Sequence, residues 1–318
     1  MRSPLSQQPA EKIRDLPRTF LHARLAEYFH APAPAEIVTE DYSLWRCIET
    51  GLEFCAPPVP GNPAFYEWVS GFDGYYQGER WEYGAVGAEL KDHAGPGFKI
   101  LDVGCGPGDF FKVLDFLPPG QKYALDLNEP AIRICRERGY PAFCGTMTTA
   151  TAAGFVAPGG FSVVTSFHCL EHVADPVGFC RELLCAVAPG GKLYLSTPCS
   201  PMSFESDWFD VQNHPPHHMT RWNPAAYRQL AKILGVTMRP LAPPARPFRQ
   251  ALQKLCLQLH GPNVFVPREV LLKDLLRHGP RFLAHWWRLA ARARRHELRG
   301  ADLILVEFTV PAGPAAQT

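Results

Sequence analysis

Leu101-Asp102-Val103-Gly104-Cys105-Gly106-Pro107-Gly108-Asp109, followed by a lone acid at Asp126, is the stretch on which the fold turns. Lys99 to Val103 is an apolar run of strand length, and the glycines at 104, 106 and 108 make a tight turn into Phe110 to Phe116, so a helix is predicted over 109–116. Glycine lacks a Cβ, which lets the backbone approach a ligand closely at the carboxyl end of a strand. Open α/β sheets bind nucleotides at that position.

A second strand, Tyr123-Ala124-Leu125, ends at Asp126, whose carboxylate is placed to accept both hydroxyls of a ribose. Asn128 caps the next predicted helix, with Pro130 in its first turn and Gly139 closing it. Strand, glycine turn, helix and acidic strand end together predict a nucleotide-type cofactor. Strands are expected at 99–103, 122–126, 141–144, 161–166 and 192–197, with helices at 109–116, 130–138, after Asp175-Pro176, and from Asn223-Pro224 to Leu234. Such alternation implies a parallel sheet with helices on both faces.

Leu101 to Asp109 resembles the first motif of class I S-adenosylmethionine-dependent methyltransferases, in which Gly-x-Gly-x-Gly stands where dinucleotide enzymes carry Gly-x-Gly-x-x-Gly. The resemblance continues through Phe161 to Ser166, Leu170-Glu171-His172-Val173-Ala174-Asp175-Pro176 and Ala188-Pro189-Gly190-Gly191-Lys192-Leu193, and covers residues 97 to 238. It implies a Rossmann-like, seven-stranded, mostly parallel sheet whose final strand, 301–310, runs antiparallel. It also implies that Asp102, Gly104, Cys105 and Gly106 contact the amino-acid end of S-adenosyl-L-methionine, Asp126 the ribose, and Leu127 the adenine. Thr146, in the loop Gly145-Thr146-Met147, and Phe167, closing the fourth strand, complete the implied cofactor site. Two rivals from other classes are a nicotinamide-dependent oxidoreductase and a scaffold that binds cofactor without turnover; the glycine spacing and the Glu-His-Val-x-Asp-Pro block count against the first.

Four segments are expected: 1–95, an N-terminal arm with a hairpin and an aromatic helical cap; 96–242, the cofactor-binding core; 243–300, a helical insertion or lid; and 301–318, the last core strand and a loose tail. Lysine and arginine number 32 against 31 aspartates and glutamates, a balance that argues against a dedicated nucleic-acid binder. The ten cysteines form no CxxC pair, so they are expected as small buried hydrophobes in a reducing compartment. With no apolar leader and no membrane-length apolar run, a cytoplasmic protein is expected.

The first dozen residues are expected to be disordered, with a helix between Glu11 and Phe29, then strand, turn and strand from Asp41 to Cys55. Trp45 to Phe54 resembles the end of a zinc-ribbon segment found in some bacterial methyltransferases. Thr50 replaces the second cysteine of its CxxC, and one thiolate cannot supply four ligands, which implies a metal-free hairpin. Between 62 and 95 lie Phe65, Tyr66, Trp68, Phe72, Tyr75, Tyr76, Trp81 and Tyr83; packing on the sheet and, for Tyr75, Tyr76 and Arg80, cover over the cofactor are both open.

Methyl transfer asks mainly for alignment and for removal of an acceptor proton. After the fourth strand, His168, Glu171 and His172 stand at i, i+3 and i+4, so a helical turn would put all three on one face. Three roles are open: bracing the loop, a general base at His168 or His172, and a metal site, the last because ubiquinone-pathway and small-RNA terminal O-methyltransferases carry a similar Glu-x-x-Glu-His. Asn213 to Trp222, containing Pro215-Pro216-His217-His218, resembles a segment of bacterial glycan-associated methyltransferases and implies acceptor contact at His217 and His218. Arg281 to Arg295 is a basic aromatic helix that suits a lid, an anionic membrane surface or RNA phosphates, so peripheral membrane contact through 281–299 stays open. The expected activity is O-methylation of a small-molecule or glycan-linked acceptor, with a metal-assisted quinone-type or RNA-terminal O-methyltransferase as the alternative.

Overall fold

The computed structural model describes residues 1–72, 80–93, 95–206, 208–241, 243, 246–261, 264, 266–295 and 302–312. Tyr75, Tyr76, positions 296–299 of the basic helix and most of the tail after Pro311 lie outside them.

Proline divides the N-terminal arm. Leu16 precedes Pro17, which disfavours helical backbone at Leu16. The helix expected from Glu11 therefore starts only at α1 (Arg18–Phe29), and β1 (Ala10–Leu16) pairs antiparallel with β2 (Tyr42–Cys47). The first dozen residues are ordered, contrary to expectation: Arg2 bridges Pro9, and Leu5 is buried in the same apolar cluster as Leu52 and Trp222. β2 turns back into β3 (Glu53–Ala56), giving the expected hairpin. Cys47 is buried there, its thiol 3.4 Å from Ser6 Oγ. The aromatic segment forms α2 (Pro63–Ser70), capped by Asn62, and α3 (Trp81–Leu90).

The core begins with β4 (Ile100–Val103), four consecutive buried residues, as a strand covered on both faces requires. The helix predicted over 109–116 is only a 3-10 turn, Phe110–Val113. Phe110, Phe111 and Leu114 are buried while Lys112 and Asp115 are exposed, an amphipathic spacing, but Pro118-Pro119 stops the run. Then follow β5 (Lys122–Asp126), α4 (Glu129–Glu137), β6 (Ala142–Cys144), α5 (Met147–Ala152), β7 (Phe161–Phe167), α6 (Pro176–Ala186) and β8 (Val187–Pro198). A two-residue strand, β9 (Thr220–Arg221), precedes α7 (Pro224–Leu234), which Asn223 caps and Gly235 closes in the left-handed conformation. The chain ends with β10 (Thr237–Leu241), α8 (Pro247–His260), α9 (Arg268–Arg295) and β11 (Leu303–Thr309).

The main sheet runs β10-β11-β8-β7-β4-β5-β6, seven strands, with β11 antiparallel between β10 and β8. The fold class is thus the expected Rossmann-like α/β sheet with helices on both faces. A second sheet, β1-β2-β3-β9, joins the arm to the segment that follows β8. α8 and α9 pack on each other through Ala251, Leu255 and Phe282, and α9 kinks at His278, just before Pro280. No described helix is long and apolar enough to cross a membrane.

Candidate active site

A cleft of about 2150 Å³ opens at the carboxyl ends of β4, β5, β7 and β8. That exceeds the roughly 300–1,000 Å³ of a one-ligand pocket and leaves room for two ligands side by side. One end is the glycine loop. Gly104, Gly106 and Gly108 have φ of 75°, 51° and 78°, and a Cβ on Gly104 would lie 2.0 Å from Cys169 Sγ. The Gly104 and Cys105 amides donate to Leu125 O at 2.8 and 3.2 Å, tying the loop to the neighbouring strand.

Asp126 stands where β5 ends. Its Oδ2 accepts from the Gly106 amide at 2.7 Å and its Oδ1 from the Asn128 amide at 2.9 Å, so both oxygens are fixed at the cleft wall. Burial raises its pKa and those two amides oppose the rise. Cys105, Leu127, Thr146 and Phe167 also line the cleft. Leu127 is exposed on the lip, Thr146 caps α5 through the Thr149 amide, and Phe167 is buried edge-on against Phe110 and Tyr83. Asp102 is absent from the described lining. It lies behind the loop, accepts from Thr165 Oγ1 at 2.7 Å, and burial pushes its carboxyl up to about 7. Its side-chain bond to Thr165 ties β4 to β7.

The other end is built by two loops. His168, Glu171 and His172 do not share one face, because His168 takes a left-handed backbone (φ 54°) and only Leu170–His172 forms a 3-10 turn. His168 turns toward α3: its Nε2 lies 2.8 Å from Glu82 Oε1 and its Nδ1 3.3 Å from Glu171 Oε1. Burial alone would depress its pKa, but the two carboxylates outweigh burial and raise it, so His168 favours the cationic form. An imidazole occupied at both nitrogens is a poor base and a poor metal ligand. The trio implied as a metal site is thereby taken apart.

His172 turns the other way and meets His217 and His218, with ring centroids 4.5 and 4.8 Å from its own. Burial, reinforced by neighbouring imidazoles, holds His217 and His218 well below the usual histidine range, so both are neutral. All three rings line the cleft. The loop bearing them is anchored by Arg221, buried among Glu53 Oε2 at 3.3 Å, Glu205, and His214 Nε2 at 2.8 Å. Asn213 donates to Glu205 Oε1 at 2.8 Å and presents its Oδ1 to His218 Nδ1 at 2.9 Å. Glu53, Glu82, Glu205 and Arg221 have no sequence signal of their own; the ion pairs Glu53–Arg221, Glu82–His168 and Glu205–Arg221 join positions 168, 86 and 16 apart.

α8 borders the cleft with Arg246, Arg249, Gln250 and Gln253, while the basic aromatic helix α9 lies behind it. Asp126→Ala removes an oriented carboxylate from the cofactor end. Calorimetry is expected to show S-adenosylhomocysteine affinity reduced about 10- to 100-fold, the cost of roughly 1.5–3 kcal/mol for a charge-assisted hydrogen bond, with an unchanged melt.

A family model described as a methyltransferase domain matches residues 69–240, more than half of the chain. The ubiquinone biosynthesis O-methyltransferase of Xanthomonas campestris pv. campestris (strain B100) is 33% identical over 105 residues, 32% of this chain and 44% of that protein. Its counterpart from Ralstonia nicotianae is 34% identical over 104 residues, 32% of this chain and 43% of the relative. The chain thus spans less than half the length of these curated relatives. Among solved structures, the plantazolicin methyltransferase BpumL in complex with SAH is 16% identical with a TM-score of 0.47, over 78% of this chain and 91% of that one. A SAM-dependent methyltransferase from Archaeoglobus fulgidus is 14% identical with a TM-score of 0.45, over 77% and 99%. The matched domain, together with the strand order and glycine loop of the chain itself, leads to one assignment: the chain belongs to the methyltransferase family, with the core of a class I S-adenosylmethionine-dependent enzyme.

Proposed function

We propose that this protein transfers a methyl group from S-adenosylmethionine to a hydroxyl oxygen of a small-molecule or glycan-linked acceptor. The observation that carries the reading is the placement of three imidazoles, His172, His217 and His218, across the cleft from the glycine loop. The names of the curated relatives, O-methyltransferases of ubiquinone biosynthesis, support oxygen as the acceptor atom.

The residues at the cofactor end suit the proposed cofactor. A left-handed glycine cradle that a Cβ would fill admits close backbone approach, and a fixed carboxylate at Asp126 suits a ribose diol. Bound there, the cofactor supplies a sulfonium methyl that needs no further activation. The acceptor end contributes position and proton removal. His172 Nδ1 donates to His217 O at 2.7 Å, so its Nε2 is the nitrogen left to take an acceptor's proton. Glu82 and Glu171 favour the charged form of His168 at the boundary between the two ends, and residues of α8 and the arm wall the cleft.

Transfer of labelled methyl to a panel of phenols, catechols and sugar hydroxyls, with amines and thiols as comparison, tests the reading. His172→Ala is expected to lower kcat about 100-fold or more while S-adenosylhomocysteine binding stays within about twofold. Preferential labelling of amines would overturn it. The zinc-ribbon kinship of the 42–56 hairpin rests on its sequence alone. For α9 we favour a buttress to α8: Phe282 and His285 are buried toward it while Leu276 and Trp287 face outward.

A further inference from the structure

His172, His217 and His218 each offer one ring nitrogen, and these nitrogens all lie within 4.8 Å of one another. How the rings are held decides what the convergence means. His172 Nδ1 faces His217 O at 2.7 Å and His217 Nδ1 faces Gln212 O at 2.9 Å. A carbonyl only accepts, so both imidazoles carry a proton on Nδ1. His218 Nδ1 faces Asn213 Oδ1 at 2.9 Å, and that amide's orientation is set by its Nδ2, which donates to Glu205 Oε1 at 2.8 Å and Ser200 Oγ at 3.3 Å. His218 therefore also donates through Nδ1. In all three rings the Nδ1 is anchored to a protein oxygen, so Nε2 is the nitrogen each would offer to an ion.

An anchored Nδ1–H with an outward Nε2 is the arrangement that fixes tautomer and orientation in histidine metal ligands. Hydrogen bonding among the rings could not by itself account for it, because neutral imidazoles of one tautomer present lone pairs to each other. His214, in the same loop, shows the contrast: its Nε2 accepts from Arg221, and it stands outside the group.

We propose that His172, His217 and His218 form a three-nitrogen site for a divalent first-row transition ion of the zinc or cobalt class, open toward the acceptor end of the cleft. Neutral imidazole suits such ions and suits magnesium or calcium poorly, since those want oxygen. Metal–nitrogen bonds of about 2.0–2.1 Å set ligand nitrogens roughly 3.4 Å apart in a tetrahedron, so loading draws each ring inward by less than about an ångström. This donor set differs from His168, Glu171 and His172, and it uses nitrogen in place of carboxylate. It rests on the acceptor reading and revises one role in it: with the ion bound, His172 Nε2 would be a ligand in place of a base, and the ion's open positions would hold the hydroxyl oxygen and ease its deprotonation.

The test is titration of the metal-stripped full chain with Co2+, without cofactor or acceptor, followed by visible d–d absorption and calorimetry. Stoichiometric uptake with ligand-field bands is expected. His172→Ala and His218→Ala should each weaken uptake by more than about 100-fold, beyond the roughly 10- to 100-fold that losing an outer partner costs. His168→Gln should stay within about threefold, since both its nitrogens serve carboxylates. S-adenosylhomocysteine binding and a thermal melt establish that each variant is folded. A folded wild type that binds S-adenosylhomocysteine but takes up no Co2+ would overturn the site, as would displacement of Co2+ by millimolar Mg2+ or uptake lost only in His168→Gln. Because no acceptor is present, failure here leaves the O-methylation reading standing, and failure of the acceptor screen leaves the site standing.

Discussion

Gly104→Ala is expected to abolish measurable cofactor binding. Two costs coincide at this position. A φ of 75° is disfavoured for alanine by about 1–2 kcal/mol, and the added Cβ would sit 2.0 Å from Cys169 Sγ, so loop or strand end must shift. The Gly104 amide is tied to Leu125 O, so the shift is passed to Gly106 and from there to Asp126. Calorimetry with S-adenosylhomocysteine should show an affinity loss of at least about 100-fold, equivalent to roughly 2.7 kcal/mol. Adding Cys169→Ala removes the collision but not the dihedral cost, so the double variant should recover only part of the loss. Wild-type affinity in Gly104→Ala would mean that the loop does not contact the cofactor.

Arg221→Ala should cost more stability than any other single change at the acceptor end. The guanidinium is buried and stands between Glu53 and Glu205, with His214 accepting a third contact. Without it Glu53 keeps Arg46 and Glu205 keeps only the Asn213 amide, so a buried carboxylate loses its cation, and breaking a buried pair in that way costs about 3–5 kcal/mol. At roughly 2–4 °C per kcal/mol for chains of this size, the melting temperature should fall by about 6–20 °C. Arg221→Lys should restore little, because an ammonium has no planar fork to reach several partners at once. A shift under about 2 °C for the alanine variant would show that water reaches the network and satisfies the two acids.

The cofactor end was legible in the chain because its signals are local. Glycines at 104, 106 and 108 and the acid at 126 lie within 23 positions, and buried parallel strands show as plain apolar runs. Three pieces were hidden. β1 carries Glu11, Lys12, Arg14 and Asp15, which looks like a solvated helix until Pro17 is seen to end it. β10 is an edge strand that tolerates Pro240 and exposes most of its residues, so it lacks both the apolar run and the alternation that mark a strand. The helix after the glycine loop was overestimated: its apolar spacing is helical, but only a 3-10 turn forms before Pro118-Pro119. At the acceptor end, the adjacent histidines 217 and 218 could be singled out, but their junction with His172 spans 45 residues. His168 and His172 could not be told apart by spacing; a left-handed backbone at one residue sends them to opposite walls.

β9 has only two residues, yet it carries a consequence for how this enzyme changes over time. Through it the histidine loop is hydrogen-bonded into the sheet of the N-terminal arm: Glu53 and Phe54 pair with Arg221 and Thr220, Cys55 N donates to Met219 O, and Gly61 N donates to Pro216 O. Met219 N in turn donates to Glu171 O, closing a backbone chain that runs from the arm to the turn after β7. If the histidine loop meets the acceptor as proposed, acceptor preference would be set in part by Glu53 and Phe54, which do not line the cleft. Substitutions along 53–61 would retune the spacing of the imidazoles while the glycine loop is untouched, so lineages could exchange arms and diversify their substrates without relearning how to hold the methyl donor.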